Sequence, residues 1–213
     1  LARRIELLPP DATALLTAAA VLGREFDVRL ATDLSGLAPE PARAALEAVR
    51  QRHFVWVRPD RGQAAFVHDK IRAALLERTE PGQRRALHSQ IARRLEQQAP
   101  ERIFDLAYHF DAAGQSARAL PYALAAAEQA RSQYALEVAE QQYRIAHRGE
   151  AGASKAVQYR VREGLGEVLM LRGRYREARP VLLSAAAVAE GDYARAQIKG
   201  KLGELDFKRG DMD

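Results

Sequence analysis

The feature that most narrows the fold is a spacing of small residues that occurs twice. Gly166 is followed at +3 by Leu169, at +12 by Ala178, at +16 by Leu182 and at +19 by Ala185. Ala127 is followed by Ala130, Ala139, Tyr143 and Ala146 at the same offsets. The two starts lie 39 residues apart, and Gly203 opens a third copy 37 residues further on, which the sequence leaves incomplete. Small residues at these offsets let two antiparallel helices approach closely, and the large one fills the gap between pairs. The spacing therefore predicts a helical repeat, with helices at about 101–113, 116–131, 134–148, 156–172, 175–190 and 192–209. Gly114, Ser132-Gln133, the loop from Gly149 to Ser154, Gly173 and Gly191 separate them. Ala107, Phe110, Ala119, Ala123 and Ala126 also fit the offsets, so the phase of the pairing stays open, as it must where each helix packs on both neighbours. Pro121 falls near the start of its helix, where it removes one hydrogen bond and bends the axis slightly.

The first part of the chain has another texture. The boundary is expected near Gln97-Gln98-Ala99-Pro100, giving regions 1–97 and 98–213. Ala12 to Leu22 is apolar on most faces, with Asp11 as its expected cap and Gly23 as its stop. Phe26-Asp27-Val28-Arg29-Leu30 leads into a short helix ending near Gly36. Pro39 to Arg52 places Ala42, Leu46 and Val49 on one face. The period then changes. His53-Phe54-Val55-Trp56-Val57 and Gln63-Ala64-Ala65-Phe66-Val67 read as two strands around a Pro59-Asp60-Arg61-Gly62 turn. Helices resume at His68 and at Pro81 to Gln98. Three helices and then a hairpin is the order of a winged helix. The expected fold is therefore mainly α: a winged-helix module with a small β-hairpin, followed by a tetratricopeptide-like α-helical solenoid.

The apolar share of 47% and charged share of 29% are globular values. With no Cys, disulfides, thiolate zinc sites and a cysteine nucleophile are excluded. No run reaches the ~18 apolar residues of a membrane span, and no secretory signal opens the chain, so a cytoplasmic protein with no membrane partner is expected. The chain starts at Leu1 and stops at Gly210-Asp211-Met212-Asp213, which reads as a turn, so a piece of a longer protein is expected. The net charge of +5 comes almost wholly from Arg. It divides as +4 over 1–97 (16 basic, 12 acidic) and +1 over 98–213 (17 basic, 16 acidic). A nucleic-acid surface would concentrate more basic excess on one segment, and an Arg-rich, Asn-free composition is what a GC-rich genome produces.

Catalytic patterns are lacking. Gly200-Lys201 does not follow the glycine spacing of a phosphate loop, and Gly164-Leu165-Gly166 sits inside a helix. His88 and His109 are isolated and read as helix-surface or half-buried residues. No Ser or Thr lies in a nucleophile elbow, so no enzyme and no metal site is expected in this chain.

The stretch Leu165-Gly166 … Arg172-Gly173-Arg174-Tyr175-Arg176-Glu177-Ala178 resembles the tetratricopeptide repeat, whose usual period is about 34. A wider resemblance rests on Ala18-Ala19-Ala20-Val21-Leu22-Gly23-Arg24-Glu25-Phe26, Phe66-Val67-His68-Asp69-Lys70-Ile71-Arg72 and Arg84-Arg85-Ala86-Leu87-His88. It continues through Ala107-Tyr108-His109-Phe110, Ala113-Gly114 and Ala119-Leu120-Pro121-Tyr122. In this order these resemble signal-transduction ATPases with numerous domains (STAND proteins), a family that includes bacterial transcription activators and multidomain kinases and cyclases. The resemblance covers essentially the whole chain. It implies a P-loop ATPase module before Leu1, its last lid helix at 1–8, a winged-helix module at 9–97 and the first repeats of a superhelical arm from 101.

In relatives such as plant immune receptors and apoptosome proteins, a Met-His-Asp motif holds the phosphate of bound ADP. Val67-His68-Asp69 is the matching place here. His68 is thereby implied as an ADP contact and Asp69 as its helix-start partner, with ATP or ADP as the parent's cofactor. A plain helix start is the alternative reading of the same residues. The implied partners are the adjacent ATPase module and a protein or small-ligand effector on the repeat arm. The competing function is a DNA-binding winged-helix regulator, with a recognition helix from Pro41 to Arg52. Arg43, Arg50 and Arg52 would lie on that helix, beside the acidic Glu40 and Glu47, and Arg58 and Arg61 on the wing.

Overall fold

The structure, a computed structural model, describes residues 2–209. The expected turn at 210–213 lies outside the described residues. The chain is mainly helical, with a small three-stranded antiparallel sheet. It divides into two compact units, Leu1–Arg94 and Leu95–Asp213.

In the N-terminal unit the elements run α1 (Ala2–Glu6), α2 (Pro10–Leu22), β1 (Glu25–Asp27), α3 (Val28–Ser35), α4 (Pro39–Gln51), β2 (Val55–Arg58), β3 (Gln63–Phe66) and α5 (Asp69–Arg78). Helix α6 (Pro81–Gln98) begins in this unit and ends in the next. Pro10 starts α2 because a first-turn residue needs no N–H partner. The expected Asp11 cap does not form; Asp11 lies in the first turn, and Pro9 holds the cap position without a side-chain bond. Asp27 does cap, accepting from the Leu30 N–H at 2.7 Å.

The expected hairpin gains a strand. β1 pairs antiparallel with β3, giving the order β1-β3-β2, with Phe26 opposite Ala64 and Val55 opposite Phe66. The added pairing brings the Phe26 and Phe66 rings to 5.5 Å, and both are buried. Three residues are too few to show strand periodicity, so the segment reads from sequence as a lead into α3. Alternation turns Val55, Ala64 and Phe66 inward and Trp56 and Arg58 outward. The core gathers Leu15, Leu16, Phe26, Val49, Phe54, Val55, Phe66, Ile71 and Leu75.

The C-terminal unit is helical: α7 (Ile103–Ala112), α8 (Ser116–Ser132), α9 (Leu136–Gly149), α10 (Lys155–Leu171), α11 (Tyr175–Val188) and α12 (Gly191–Arg209). Each helix packs on the next in the chain, and most extensively α8 on α9 and α10 on α11. The residues of both candidate repeat phases are buried: Ala107, Phe110, Ala119, Ala123 and Ala126 as well as Ala127, Ala130, Ala139, Tyr143 and Ala146. Gly203, expected to open a third copy, is exposed, with nothing within 4 Å of where a Cβ would stand.

Two glycines of α10 show how closely the helices approach. A Cβ on Gly166 would overlap the Leu182 side chain, and one on Gly164 the Tyr143 ring. A third, Gly149, lies against the Ser116 backbone, so α9 ends in contact with the start of α8. His88 and His109, read from sequence as surface or half-buried, are both buried. Each sits on the inward face of an amphipathic helix, which a lone histidine does not announce.

Candidate functional site

His68 occupies the cap position of α5 in extended backbone, and its side chain makes no capping bond. It is exposed, as is Asp69, the first residue of the helix. Asp69 faces Arg24, with Nε 3.4 Å from Oδ1. Val67 is half-buried against the core, and its N–H donates to the Phe54 carbonyl at 3.1 Å. The β3–α5 junction thus presents an imidazole outward from a rigid strand end, beside an acid already paired with an arginine. Nearby in sequence, the Arg72 Nε donates to the Ala20 carbonyl at 2.8 Å. Burial, helped by the charges of Arg84 and Arg72, pushes His88 down to about 4. His88 is therefore neutral at neutral pH and belongs to the packing.

The basic residues of α4 and the wing are mostly engaged. Arg43 pairs with Glu40 at 3.3 Å. Arg50 grips Glu47 through Nε and Nη2 at 2.8 and 2.7 Å, and Gln51 adds a third bond to the same carboxylate. The bonds from Arg50 and Gln51 hold the Glu47 carboxyl down at about 2. Arg52 donates to the Leu7 carbonyl at 2.7 Å, and Arg61 lies 3.8 Å from Asp60. Arg58 is exposed on β2 next to the exposed Trp56. The outer face of α4 and Val57 border a hollow of about 620 Å³, with Ala44 and Leu46 beside the two ion pairs. Each cation on α4 carries its own anion one turn away, so this helix offers little net charge to a phosphate backbone.

The C-terminal unit holds a charge cluster that motif reading missed. Glu140 of α9 is buried, with 2% of its side chain exposed. It accepts from Arg144 at 2.5 Å, from Arg172 at 2.5 Å and from Arg174. Arg148 pairs with Asp111 of α7 through Nε at 3.0 Å and Nη2 at 2.5 Å. Glu177 receives Arg174 and Arg144, and Glu137 receives Arg172. The four arginines, Asp111, Glu137 and Glu140 line a hollow of about 430 Å³ with Tyr108 and Ile145. The available signal was Arg172-Gly173-Arg174, two cations around a glycine turn, together with a Glu at 140 on the otherwise buried face that holds Ala139 and Tyr143.

A second cluster joins α8, α10 and α12. Lys201 bonds Glu163 and Glu167, and Arg131 lies 3.0 Å from Glu167. Burial opposes ionisation of Glu167, yet the Lys201 hydrogen bond and charge hold it below the usual carboxylate range. Beside it the buried Tyr143 hydroxyl has no hydrogen-bond partner among the described residues, and burial pushes it up to about 12. These pairs are balanced in charge and bind helix to helix.

Among the described residues no helix is long and apolar enough to cross a membrane. The chain matches no protein-family model, no curated protein and no solved structure.

Proposed function

We propose that the chain is a non-catalytic regulatory and interaction segment of a multidomain signal-transduction ATPase of the STAND type. The observation that carries the reading is the element order α2–β1–α3–α4–β2–β3 with sheet order β1-β3-β2, which supports a winged-helix module. It is followed by a unit in which each helix packs on its chain neighbour and the small residues of the two complete copies are buried, which supports a tetratricopeptide-like solenoid. In this reading the winged-helix module adjoins a cytoplasmic ATPase module that binds ATP or ADP. His68, exposed and without a capping bond, contacts the ADP phosphate, and Asp69 holds the helix start. ADP favours a closed state; an effector on the repeat arm favours an open one. Each acts only through its differential affinity for the two states.

The test begins with the reading frame upstream of this segment. A phosphate loop within about 300 residues is expected, the span of one ordinary ATPase domain. In the full-length protein His68→Ala then loses bound ADP at least tenfold faster. A missing phosphate loop, or unchanged ADP release, overturns the reading. The DNA-binding alternative is weakened by the self-paired arginines of α4 and leaves Arg58 as its best contact. It requires duplex binding that falls steeply with salt; the regulatory reading expects none from this chain.

A further inference from the structure

We propose that the outward face of α12, where Leu202, Gly203 and Phe207 lie, seats one further helix of this chain, supplied after Asp213 and patterned like α11. The inference rests on the reading of the C-terminal unit as a helical repeat. It sets the phase that the sequence leaves open: α8 pairs with α9, α10 with α11, and α12 with the helix that follows.

The first observation is how the helices stack. α10 meets the α8–α9 pair mainly through α9 and only lightly through α8. α12 meets the α10–α11 pair in the same way, mainly through α11 and only lightly through α10. It therefore stands to its predecessors as α10 does to its own, as the opening helix of a pair. The α10–α11 pair is closed where Leu182 lies over Gly166. Gly203 holds the same place in α12, 37 residues on, and nothing lies within 4 Å of where its Cβ would stand.

The second observation compares α12 with α10 position by position. The helices that α12 packs on are α10 and α11, and the fully buried Ile198 and Leu205 mark the face it turns to them. The matching residues of α10, Val161 and Val168, are fully buried too. The positions that differ are Leu165, Gly166 and Met170 of α10, all buried, with Met170 only 6% exposed. Their counterparts in α12 are Leu202, half-buried, Gly203, exposed, and Phe207, 67% exposed. In α10 the cover over Gly166 is α11; α12 carries the same small and large apolar types without it. A repeat that ended against water would carry a polar outer face, and exposed apolar side chains grouped like these mark a contact surface. One position departs: Asp206 stands where α10 has Leu169, and it pairs with Arg179 of α11 at 3.3 Å, so it belongs to the contact already made. The face continues the α10–α11 interface in register. A second copy does not fit it as well, because the residues that would match, Leu182 and Ala185, are already fully buried within each copy.

The test reads the frame past Asp213 and compares the 213-residue chain with one extended by a repeat length of about 40 residues. The added sequence is expected to form a helix with small residues at +12 and +19 from Gly203 and a large apolar one at +16, the offsets of the two complete copies. Gly203→Leu and Phe207→Gln are then made in both chains. In the 213-residue chain neither should lower the urea unfolding midpoint. In the extended chain each should lower it by about 0.5 M or more. A stop codon after Asp213, or a following segment without this pattern, overturns the proposal, and so do equal shifts in the two chains. An extended chain that sediments as a dimer, and as a monomer with Phe207→Gln, overturns it in favour of a second copy. None of these failures touches the ATPase reading, which stands or falls separately, on the upstream phosphate loop.

Discussion

The N-terminal unit builds its core from segments distant in sequence, whereas the C-terminal unit builds its core from helices adjacent in the chain. Phe26, Phe54, Phe66, Leu15 and Leu16 meet across a sheet whose partners are distant in sequence, such as Phe26 and Ala64. In the C-terminal unit the inner faces carry Ala107, Ala119, Ala123, Ala126, Ala127, Ala130, Ala139, Ala146, Ala178 and Ala185, with Phe110 and Tyr143 as the buried aromatics. Its helices pack on their chain neighbours, and glycines bring them into contact. One unit is held by side chains brought together from segments far apart in sequence. The other is held by close approach between adjacent helices, with ion pairs such as those of Glu140 and Lys201 crossing from helix to helix. The lesson is that removing atoms should damage either core, whereas adding atoms should damage most the close helix contacts of the second unit.

The largest expected effect tests the first half of that contrast. Phe54 is fully buried, so Phe54→Ala should destabilise the N-terminal unit by about 4 kcal/mol, measured by denaturant unfolding. A loss under about 1 kcal/mol would mean the sheet core collapses around the gap. Next comes Gly149→Ala, which adds one methyl against the Ser116 backbone. Backbone cannot turn aside, and about 3 kcal/mol of destabilisation is expected, seen as faster amide exchange in α8 and α9.

The third prediction concerns pH and belongs to the N-terminal unit. His88 protonates near 6.5 when unfolded and near 4 when folded. Above 6.5 both states are neutral and the group has no effect. As pH falls through that window the unfolded chain takes up a proton that the folded one refuses, so stability falls, by at most about 3 kcal/mol at pH 4. Comparing unfolding midpoints of the unaltered chain and His88→Gln between pH 7 and pH 4 isolates this slope, which the variant should lack.

The smallest effect sharpens the rule about added atoms. Gly166→Ala overlaps Cδ2 and Cγ of the buried Leu182, a side chain that can shift where backbone cannot, and alanine gains about 1 kcal/mol of helix propensity over glycine. It should unfold within about 1 kcal/mol of the unaltered chain. If it instead matches Gly149→Ala, side chains in this unit are as unyielding as backbone.

How much was legible from sequence follows the same division. The boundaries of the C-terminal helices came within about two residues, because neighbour-on-neighbour packing leaves its periodicity and its glycine stops in the local sequence. β1 was not legible, since three residues become a strand only through pairing with a segment about forty residues away. At the candidate sites, His68 was found through a motif, and its exposure and missing cap bond came from the structure. The Glu140 cluster was not found, because its arginines come from α9 and from the α10–α11 turn.

The sequence by itself determined the helical class, the repeat offsets and the hairpin, since each is written in periodicity, turn residues and steric size. Only the tertiary structure decided which arginines are tied to their own acids, which carboxylate is buried beneath them, and that Tyr134 sits in a left-handed turn with its ring exposed. Charge and strain depend on neighbours in space, and those neighbours are chosen by packing rather than by spacing along the chain.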